Sequence, residues 1–484
     1  MNEIQIRVVE GRLWLRNVRL RMPFRFGSAR MTVAPIGHLR IVVEDTGGRT
    51  AWGVSADILP PAWFDKRPGR TQRQDIEELL LSVDNARRLY LAQAAATPFA
   101  LWHAVERPAI EAGRAGGLAP LTAGFGLALF ERAVLDAVAR LKGRPAWDIV
   151  NENALGVDLG ALDINLAGTA VTDVLPSRPL ESVWARHTVG LSDPLTAGDI
   201  ASGQALHDGL PQTLEQAIQQ YGLLHFKLKI GGDPQADLDR LERIAAVLGE
   251  APTLAVTLDG NEQYHSWDAV EELAAGLQAR KPLQRLARAV RYIEQPLYRE
   301  QALAPEGAQA RAAVGAWRPL LIDESDDTPA TWPEAARLGY RGVSFKACKG
   351  FLRGLRNKAL AQAWSRAGRG DFVISSEDLT ALPLVPLHQH LALGALLGIE
   401  SQERNGLHYT HGLSWLTPAE QRQALLDHPD LYCAAGGFPH LRVEGGRLAL
   451  ASLLRAPGLA LGSAPPWKAL TPAEDWVYES LEAE

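Results

Sequence analysis

Short apolar runs alternate with amphipathic helical segments between about residue 182 and residue 425 of this chain. In order, the runs are VWARHTVGL, HFKLKI, TLAVTLDGN, VRYIEQP, PLLIDES, GVSFKAC, DFVISSE and LLGIESQ. Seven or eight such β–α alternations favour a (β/α) barrel. An open doubly wound sheet is disfavoured, because no glycine-rich dinucleotide turn follows an early run. The repeat therefore predicts an α/β fold built on a parallel barrel.

The segments outside this repeat predict further structure. Strand-like runs fill the first part of the chain, where Gly47 and Gly48 are placed to form the turn of a hairpin, and helical stretches follow. Strands followed by helices indicate an α+β domain. We therefore expect an N-terminal α+β domain over residues 1–160, the barrel over 182–425, and a C-terminal segment over 426–484 that returns to the N-terminal domain.

Composition and charge argue against several classes of binding partner. The net charge is −6 and the pI is about 6.1, so no basic field exists to attract nucleic acid or an anionic membrane. The N-terminal stretch has no apolar signal core, and no apolar run is long enough to cross a membrane. The two cysteines are far apart, which favours a reducing compartment. We expect a soluble cytoplasmic protein.

Charged residues close several of the apolar runs. Lys227 and Lys229 share one face of HFKLKI, because side chains alternate along a strand. The later runs end in Asp259, Glu294, Asp323 and Lys346. In a (β/α) barrel these positions lie at the C-terminal rim, where catalytic groups sit. Buried carboxylates need a partner, and three carboxylates with water or substrate oxygens make a hard-cation site. The pattern predicts a site for Mg²⁺, with Mn²⁺ as a substitute.

The order of five motifs resembles a known family. FKLKIGG, LDGNEQY, YIEQPL, LIDES and SFKACKG look like the enolase superfamily and, more narrowly, its muconate lactonizing enzyme subgroup. The lysine on the sixth strand, in place of a His–Asp dyad on later strands, separates this subgroup from mandelate racemase-like proteins. The resemblance implies a modified TIM-type (β/α)7β barrel with an N-terminal α+β capping domain.

The resemblance also implies roles for individual residues. Lys229 and Lys346 would be the bases, with Lys227 beside Lys229. Asp259, Glu294 and Asp323 would bind Mg²⁺, supported by Asn261 and Glu324. The cap segments PFRFGSARM and SADILPPAWFDKR would close over the substrate, with Phe26 and Arg30 as expected substrate-binding residues. From the last barrel strands, Glu377 and either Glu400 or Gln402 are expected to face the substrate.

The reaction that the resemblance implies is removal of the α-proton of a carboxylate substrate to form an enediolate. A racemase or epimerase of an N-acyl amino acid or related acid is the first expectation. The alternatives are a cycloisomerase or dehydratase, similar to muconate lactonizing enzyme or o-succinylbenzoate synthase. A Schiff-base lyase and a non-catalytic barrel are the rival classes. The Asp-x-Asp pair of dipeptide epimerases is missing from GIESQERNGLHY. The chain could also form a homo-oligomer.

Overall fold

The structure is a computed structural model that describes residues 3–27, 29–249, 254–404 and 408–482. Its strands are β1 (Ile6–Phe26), β2 (Ala29–Asp45), β3 (Thr50–Ile58), β4 (Ser182–Val189), β5 (His225–Lys229), β6 (Ala255–Asp259), β7 (Val290–Glu294), β8 (Leu320–Ile322), β9 (Gly342–Phe345), β10 (Val373–Ser376), β11 (Ser401–Arg404), β12 (Tyr432–Cys433), β13 (His440–Leu441), β14 (Arg447–Ala449) and β15 (Thr471–Pro472). They form an antiparallel sheet, a closed parallel sheet and a small hairpin.

The helices connect these strands and cover them. They are α1 (Gln72–Leu91), α2 (Pro98–Ala115), α3 (Pro120–Lys142), α4 (Ala146–Asn151), α5 (Leu159–Leu162), α6 (Val171–Val174), α7 (Leu214–Tyr221), α8 (Pro234–Leu248), α9 (Trp267–Ala279), α10 (Gln284–Ala289), α11 (Arg299–Ala302), α12 (Ala308–Trp317), α13 (Thr331–Arg337), α14 (Phe351–Arg366), α15 (Val385–Leu396), α16 (Pro418–Asp427) and α17 (Ala451–Arg455). None of the helices in the described ranges has the length and apolar character that crossing a membrane requires.

An antiparallel sheet begins the chain. Strand β2 pairs with β1 and β3, so the predicted hairpin is present, and Gly48 adopts a φ of +78° in its turn. Strand β15, near the C-terminal end, adds to the free edge of β1. Most of the segment PFRFGSARM belongs to β1 and β2. The reason is that pairing resumes after an irregularity, with Phe24 opposite Met31 and Phe26 opposite Ala29.

Eight parallel strands, β4 to β11, form the barrel, and pairing of β11 with β4 closes it. Seven helical connections, running from α7 to α15, join successive strands. Strand β14 pairs antiparallel with the start of β4 from outside the ring. The predicted (β/α)7β barrel with an N-terminal α+β capping domain is confirmed.

Helix α3 joins the N-terminal cap to the barrel. A Cβ atom at Gly53 of β3 would lie 2.0 Å from the carbonyl oxygen of Ala133, so only glycine allows this close approach of helix and sheet. On α3, the buried Arg132 forms an ion pair with Asp57 of β3 and donates a 3.4 Å hydrogen bond to Gln389 of α15. The helix therefore contacts both modules and fixes the cap over the barrel.

Glu131 of α3 makes a second link between cap and barrel. Its Oε1 accepts a 2.7 Å hydrogen bond from the backbone N–H of Leu352, at the start of α14. The residue that precedes α14 is Gly350, which has no side chain to cap the helix, so the Glu131 carboxylate takes that place. Burial raises the pKa of Glu131 to about 7, against the opposing effect of hydrogen bonds from Leu352 and Phe351.

This raised pKa predicts a pH dependence of stability. Because the folded chain binds the Glu131 proton more tightly than the unfolded chain, the stability that this proton contributes is complete below the ordinary pKa of 4.5 and is lost as the pH rises to about 7. Glu131→Gln cannot ionise. We expect the melting temperature of Glu131→Gln minus that of the wild type to be higher at about pH 8 than at about pH 5. Calorimetry at both values measures this, with exposed Glu300→Gln as the control. An unchanged difference would contradict the prediction.

Candidate active site

The predicted carboxylates meet at the C-terminal ends of adjacent barrel strands. Asp259 ends β6, Glu294 ends β7, and the register pairs these two residues directly. Asp323 follows β8 immediately, and Lys346 follows β9. All four side chains are buried. The structure therefore brings together at one rim the residues that the sequence predicted to act together, since parallel strands place their C-terminal ends on the same side.

The ammonium group of Lys227 lies at the centre of a buried acidic cluster. Its Nζ is 2.9 Å from Asp259 Oδ2, 2.9 Å from Glu294 Oε2, 2.6 Å from Glu377 Oε2 and 3.1 Å from Glu403 Oε2. Burial alone would favour the neutral amine, but these carboxylates raise the pKa of Lys227 well above its ordinary value. Lys227 is therefore a fixed cation of the site.

Lys229 and Lys346 lie on opposite sides of the barrel. Their strands, β5 and β9, are separated by three others in the ring of eight. Lys229 Nζ lies 2.5 Å from Asp259 Oδ2, and Lys346 Nζ lies 2.7 Å from Asp323 Oδ2. Although burial favours the neutral amine, Asp323 raises the pKa of Lys346 well above its ordinary value. Each candidate base is thus held in an ion pair with one candidate metal ligand.

Lys349 is a site residue that the sequence analysis missed. Its Nζ donates hydrogen bonds to the backbone oxygen of Asp323 at 2.6 Å and to Ser344 Oγ at 2.9 Å, and it lies 3.1 Å from Asp323 Oδ1. Burial would raise the pKa of Asp323, but Lys346 and Lys349 hold it well below its ordinary value. The signal was available in SFKACKG, where a second lysine follows Lys346 by one short turn.

Two of the expected substrate-binding residues lie elsewhere. Glu400 is exposed and precedes β11, at the N-terminal end of the barrel, and Arg30 is exposed on β2. On β11 it is Glu403 that reaches the pocket, because its side chain points inward and Glu400 lies before the strand begins. Glu377 is buried beneath the pocket, where Tyr292 donates a 2.9 Å hydrogen bond to its Oε1. Phe26 lines the pocket. Ser28, in the same cap segment, lies outside the described residues.

Asn261 and Glu324 support the carboxylates. The Asn261 N–H donates a 2.8 Å hydrogen bond to Asp259 Oδ1, and its Nδ2 donates to Glu324 Oε1 at 3.2 Å. The neighbouring Glu262 pairs with Lys66 of the cap at 2.7 Å and with Arg299 at 3.0 Å. Asn261 and Glu262 adopt φ values of +42° and +67°, which non-glycine residues rarely hold. This loop therefore orients Asp259 and anchors the cap.

A pocket opens above these groups, between the cap and the barrel rim. It is lined by Phe24, Phe26, Pro60, Trp63, Lys227, Lys229, Asn261, Lys346, Asp378, Leu379, Thr380 and Glu403. The Lys346 Nζ lies 4.1 Å from the centre of the Trp63 ring, a cation–π contact between cap and barrel. Both candidate bases therefore line one pocket that aromatic side chains of the cap partly cover.

The donor chemistry of the three carboxylates fits a hard divalent cation. Glu294 Oε2 and Asp323 Oδ2 are buried without a hydrogen bond, although lysine ammonium groups lie 2.9 Å and 2.7 Å away. Burial and the charge of Asp259 raise the pKa of Glu294 well above its ordinary value. Within the described ranges, no group of three or more acidic, histidine or cysteine side chains is positioned to hold a metal ion, because lysine ammonium groups lie between the carboxylates. In this arrangement the lysines neutralise the carboxylates.

Comparison with known proteins adds independent findings. Residues 210–368 match the family model described as enolase C-terminal domain-like. No curated protein sequence matches the chain significantly. The structure is similar to muconate lactonizing enzyme from Pseudomonas fluorescens complexed with muconolactone, with a TM-score of 0.59, 18% identity and 97% of each chain covered.

Two further solved structures are similar over nearly their whole length. The L-Ala-D/L-Glu epimerase from Bacillus subtilis has a TM-score of 0.59 and 14% identity, covering 95% of this chain and 99% of that one. An enolase from Bradyrhizobium, complexed with magnesium and mandelic acid, has a TM-score of 0.58 and 18% identity, covering 96% and 97%. At such identities these likenesses establish the fold.

The fold is a capped (β/α)7β barrel with lysines and carboxylates at its rim, and it resembles the enolase superfamily. The segment matched by the family model contains Lys227, Asp259, Glu294, Asp323 and Lys346. Residues 210–368 of the barrel are similar to enolase C-terminal domain-like proteins, and the resemblance to the enolase superfamily that the sequence motifs indicated is confirmed.

Proposed function

We propose that this chain is a Mg²⁺-dependent enzyme that removes the α-proton of a carboxylate substrate, acting as a racemase or epimerase of an N-acyl amino acid or related acid. One observation carries the proposal. Lys229 and Lys346 come from strands on opposite sides of the barrel and line the same pocket. Two amines placed in this way can each serve one face of the same carbon atom.

Each lysine of the pocket would have a separate role in such a reaction. Lys229, as a neutral amine, takes the α-proton from one face, and Lys346, as an ammonium, returns a proton to the other face. The reverse direction exchanges these roles. Each lysine must leave its ion pair with Asp259 or Asp323 to become a base, because a protonated amine has no lone pair to accept a proton. Lys227 stays charged and contributes positive potential to the pocket.

Asp259, Glu294 and Asp323 would hold Mg²⁺, or Mn²⁺ in its place. When bound, the cation supplies positive charge that stabilises the two oxygens of an enediolate. Asn261 would keep Asp259 oriented, and Lys349 would do the same for Asp323. The carboxylates that bind the cation are those that pair with the two bases, so metal binding and release of the bases would be linked.

A cycloisomerase or dehydratase is the second candidate. It is favoured by the strong pairing of Lys346 with Asp323, which raises the pKa of Lys346 and keeps it an ammonium. A reaction with a single base would use Lys229 to remove the proton, and Lys346 would stabilise negative charge on the substrate. The fold is shared with muconate lactonizing enzyme, and this likeness is compatible with the second candidate.

A screen of α-deuterated acids tests the proposed function. N-acyl amino acids, dipeptides and hydroxy acids are incubated with the enzyme and Mg²⁺, and NMR follows the loss of α-deuterium. We expect exchange in at least one class, with interconversion of both enantiomers because the pocket holds two bases. A new product from one enantiomer alone would favour the second candidate.

Two results would contradict both candidates. The first is the absence of exchange from every acid in the screen, which would indicate a non-catalytic barrel. The second comes from a separate experiment, in which inactivation by borohydride in the presence of a carbonyl substrate would reveal a Schiff base on Lys229 or Lys346.

A further inference from the structure

The hairpin of β12 and β13 places a cysteine beside a histidine. The hairpin lies in the C-terminal segment, beyond residues 210–368, and neither residue lines the pocket between the cap and the barrel rim. The antiparallel register sets Cys433 of β12 opposite His440 of β13. Directly opposed side chains of an antiparallel pair lie on the same face of the hairpin. Cys433 Sγ is 3.3 Å from His440 Nε2, a distance at which a thiol can donate a hydrogen bond to an imidazole nitrogen.

The backbone determines which nitrogen of His440 faces the thiol as an acceptor. His440 Nδ1 lies 2.9 Å from the carbonyl oxygen of Phe438. Because a carbonyl oxygen can only accept a hydrogen bond, Nδ1 must carry the ring proton. In the neutral ring, Nε2 then keeps a lone pair on the side of Cys433 Sγ. His440 is therefore held in the tautomer that can take the proton of the neighbouring thiol.

Cys433 lies near the protein surface. Cys433 and His440 are half-buried, and residues 434–437 between the two strands are exposed. The other cysteine of the chain provides a contrast. Cys348, in the turn after β9, is buried, and burial raises the pKa of its thiol to about 12. A thiol must lose its proton to act as a nucleophile, so the two cysteines differ both in access and in activation.

From this geometry we infer that Cys433 is a nucleophilic modification site, which His440 activates for thiol–disulfide exchange with a low-molecular-weight disulfide. As Sγ attacks one sulfur atom of the disulfide, the thiol proton passes to His440 Nε2. A new S–S bond forms on Cys433, and the S–S bond of the reagent breaks. The second half of the reagent leaves as a thiolate and takes the proton from His440. Cys433 is oxidised, one half of the reagent is reduced, and no further reactant is needed.

Reaction of the folded, full-length protein with oxidised glutathione tests the inference independently of the proposed function. Mass spectrometry of the intact chain and of its peptides follows the mixed disulfide at each cysteine over time. We expect Cys433 to react at least about tenfold faster than Cys348. His440→Gln keeps a polar side chain that cannot take a proton. It should slow the reaction of Cys433 by about tenfold, because only a few per cent of an unactivated thiol is ionised at neutral pH.

A neighbouring histidine provides the control. The ring of His411 lies 4.0 Å from the ring of Phe438, centre to centre, and its Nε2 lies 3.1 Å from the carbonyl oxygen of Asp208. His411→Gln should therefore leave the rate at Cys433 unchanged. Equal rates at Cys433 in the wild type and in His440→Gln would overturn the inference, and so would a faster reaction at Cys348 than at Cys433.

The same reaction in urea supplies a measurement that needs no variant, should His440→Gln fail to fold by circular dichroism. Unfolding separates the thiol of Cys433 from His440 and exposes both cysteines. We therefore expect Cys433 to react more slowly in urea than in the folded protein, and Cys348 to react faster. A rate at Cys433 that rises on unfolding would mean that the fold only shields this thiol, and the inference would be wrong.

Discussion

Replacing Lys346 by alanine is expected to abolish racemisation in both directions, because each direction needs one lysine to remove a proton and the other to return one. Exchange of the α-proton with D₂O should persist for the enantiomer whose proton faces Lys229. For the other enantiomer it should fall by about 10²–10⁴-fold, the usual contribution of a general base. Lys229→Ala should show the opposite pattern. NMR of each enantiomer in D₂O, with each variant, provides the measurement.

The control for this experiment is Lys358→Ala. Lys358 is a half-buried lysine on α14 that donates to the Leu397 carbonyl, and its loss should leave exchange of both enantiomers unchanged. A single-base reaction would give a different result. Lys229→Ala would then lose exchange for both enantiomers while Lys346→Ala retained it, and the racemase proposal would be wrong. Lys346 would in that case act as the ammonium that its pairing with Asp323 favours.

Addition of Mg²⁺ is expected to raise the melting temperature of the wild-type protein by several degrees. A ligand at one hundred times its Kd stabilises the folded state by about 2.7 kcal/mol. The physical reason lies in Glu294, whose pKa is raised by burial and by neighbouring carboxylates, and whose Oε2 lacks a hydrogen bond. A bound cation would be coordinated directly by this oxygen, in place of the neighbouring Lys227 ammonium group. Scanning calorimetry with Mg²⁺ or with chelator, together with titration calorimetry, measures the effect.

Two glutamine variants make this test specific. Glu294→Gln should lose most of the Mg²⁺-dependent rise and the binding heat, because an amide oxygen is a weaker ligand for a hard cation than a carboxylate. Glu400→Gln, at the exposed opposite end of the barrel, should keep both. Identical melting temperatures of the wild type with Mg²⁺ and with chelator, and no binding heat, would mean that the lysines alone neutralise the carboxylates.

The sequence by itself determined the barrel and the composition of its rim. Alternation of apolar runs with helices predicts a parallel barrel, and the residues that end the runs must then lie at one rim. Asp259, Glu294 and Lys346 could therefore be placed from local pattern alone. The reason is physical: the two-residue period of a strand fixes which side chains share a face, and this period is visible in the sequence.

Only the tertiary structure decided which of these charges meet. Lys227 pairs with Glu377 and Glu403, which lie 150 and 176 residues further along the chain, because the pairing of β11 with β4 closes the ring. The start of β11 at Ser401 sets Glu403, and not Glu400, at the pocket. Trp63 reaches Lys346 only because the cap packs over the barrel. Local periodicity sets the face on which a side chain lies, whereas long-range packing sets its partner.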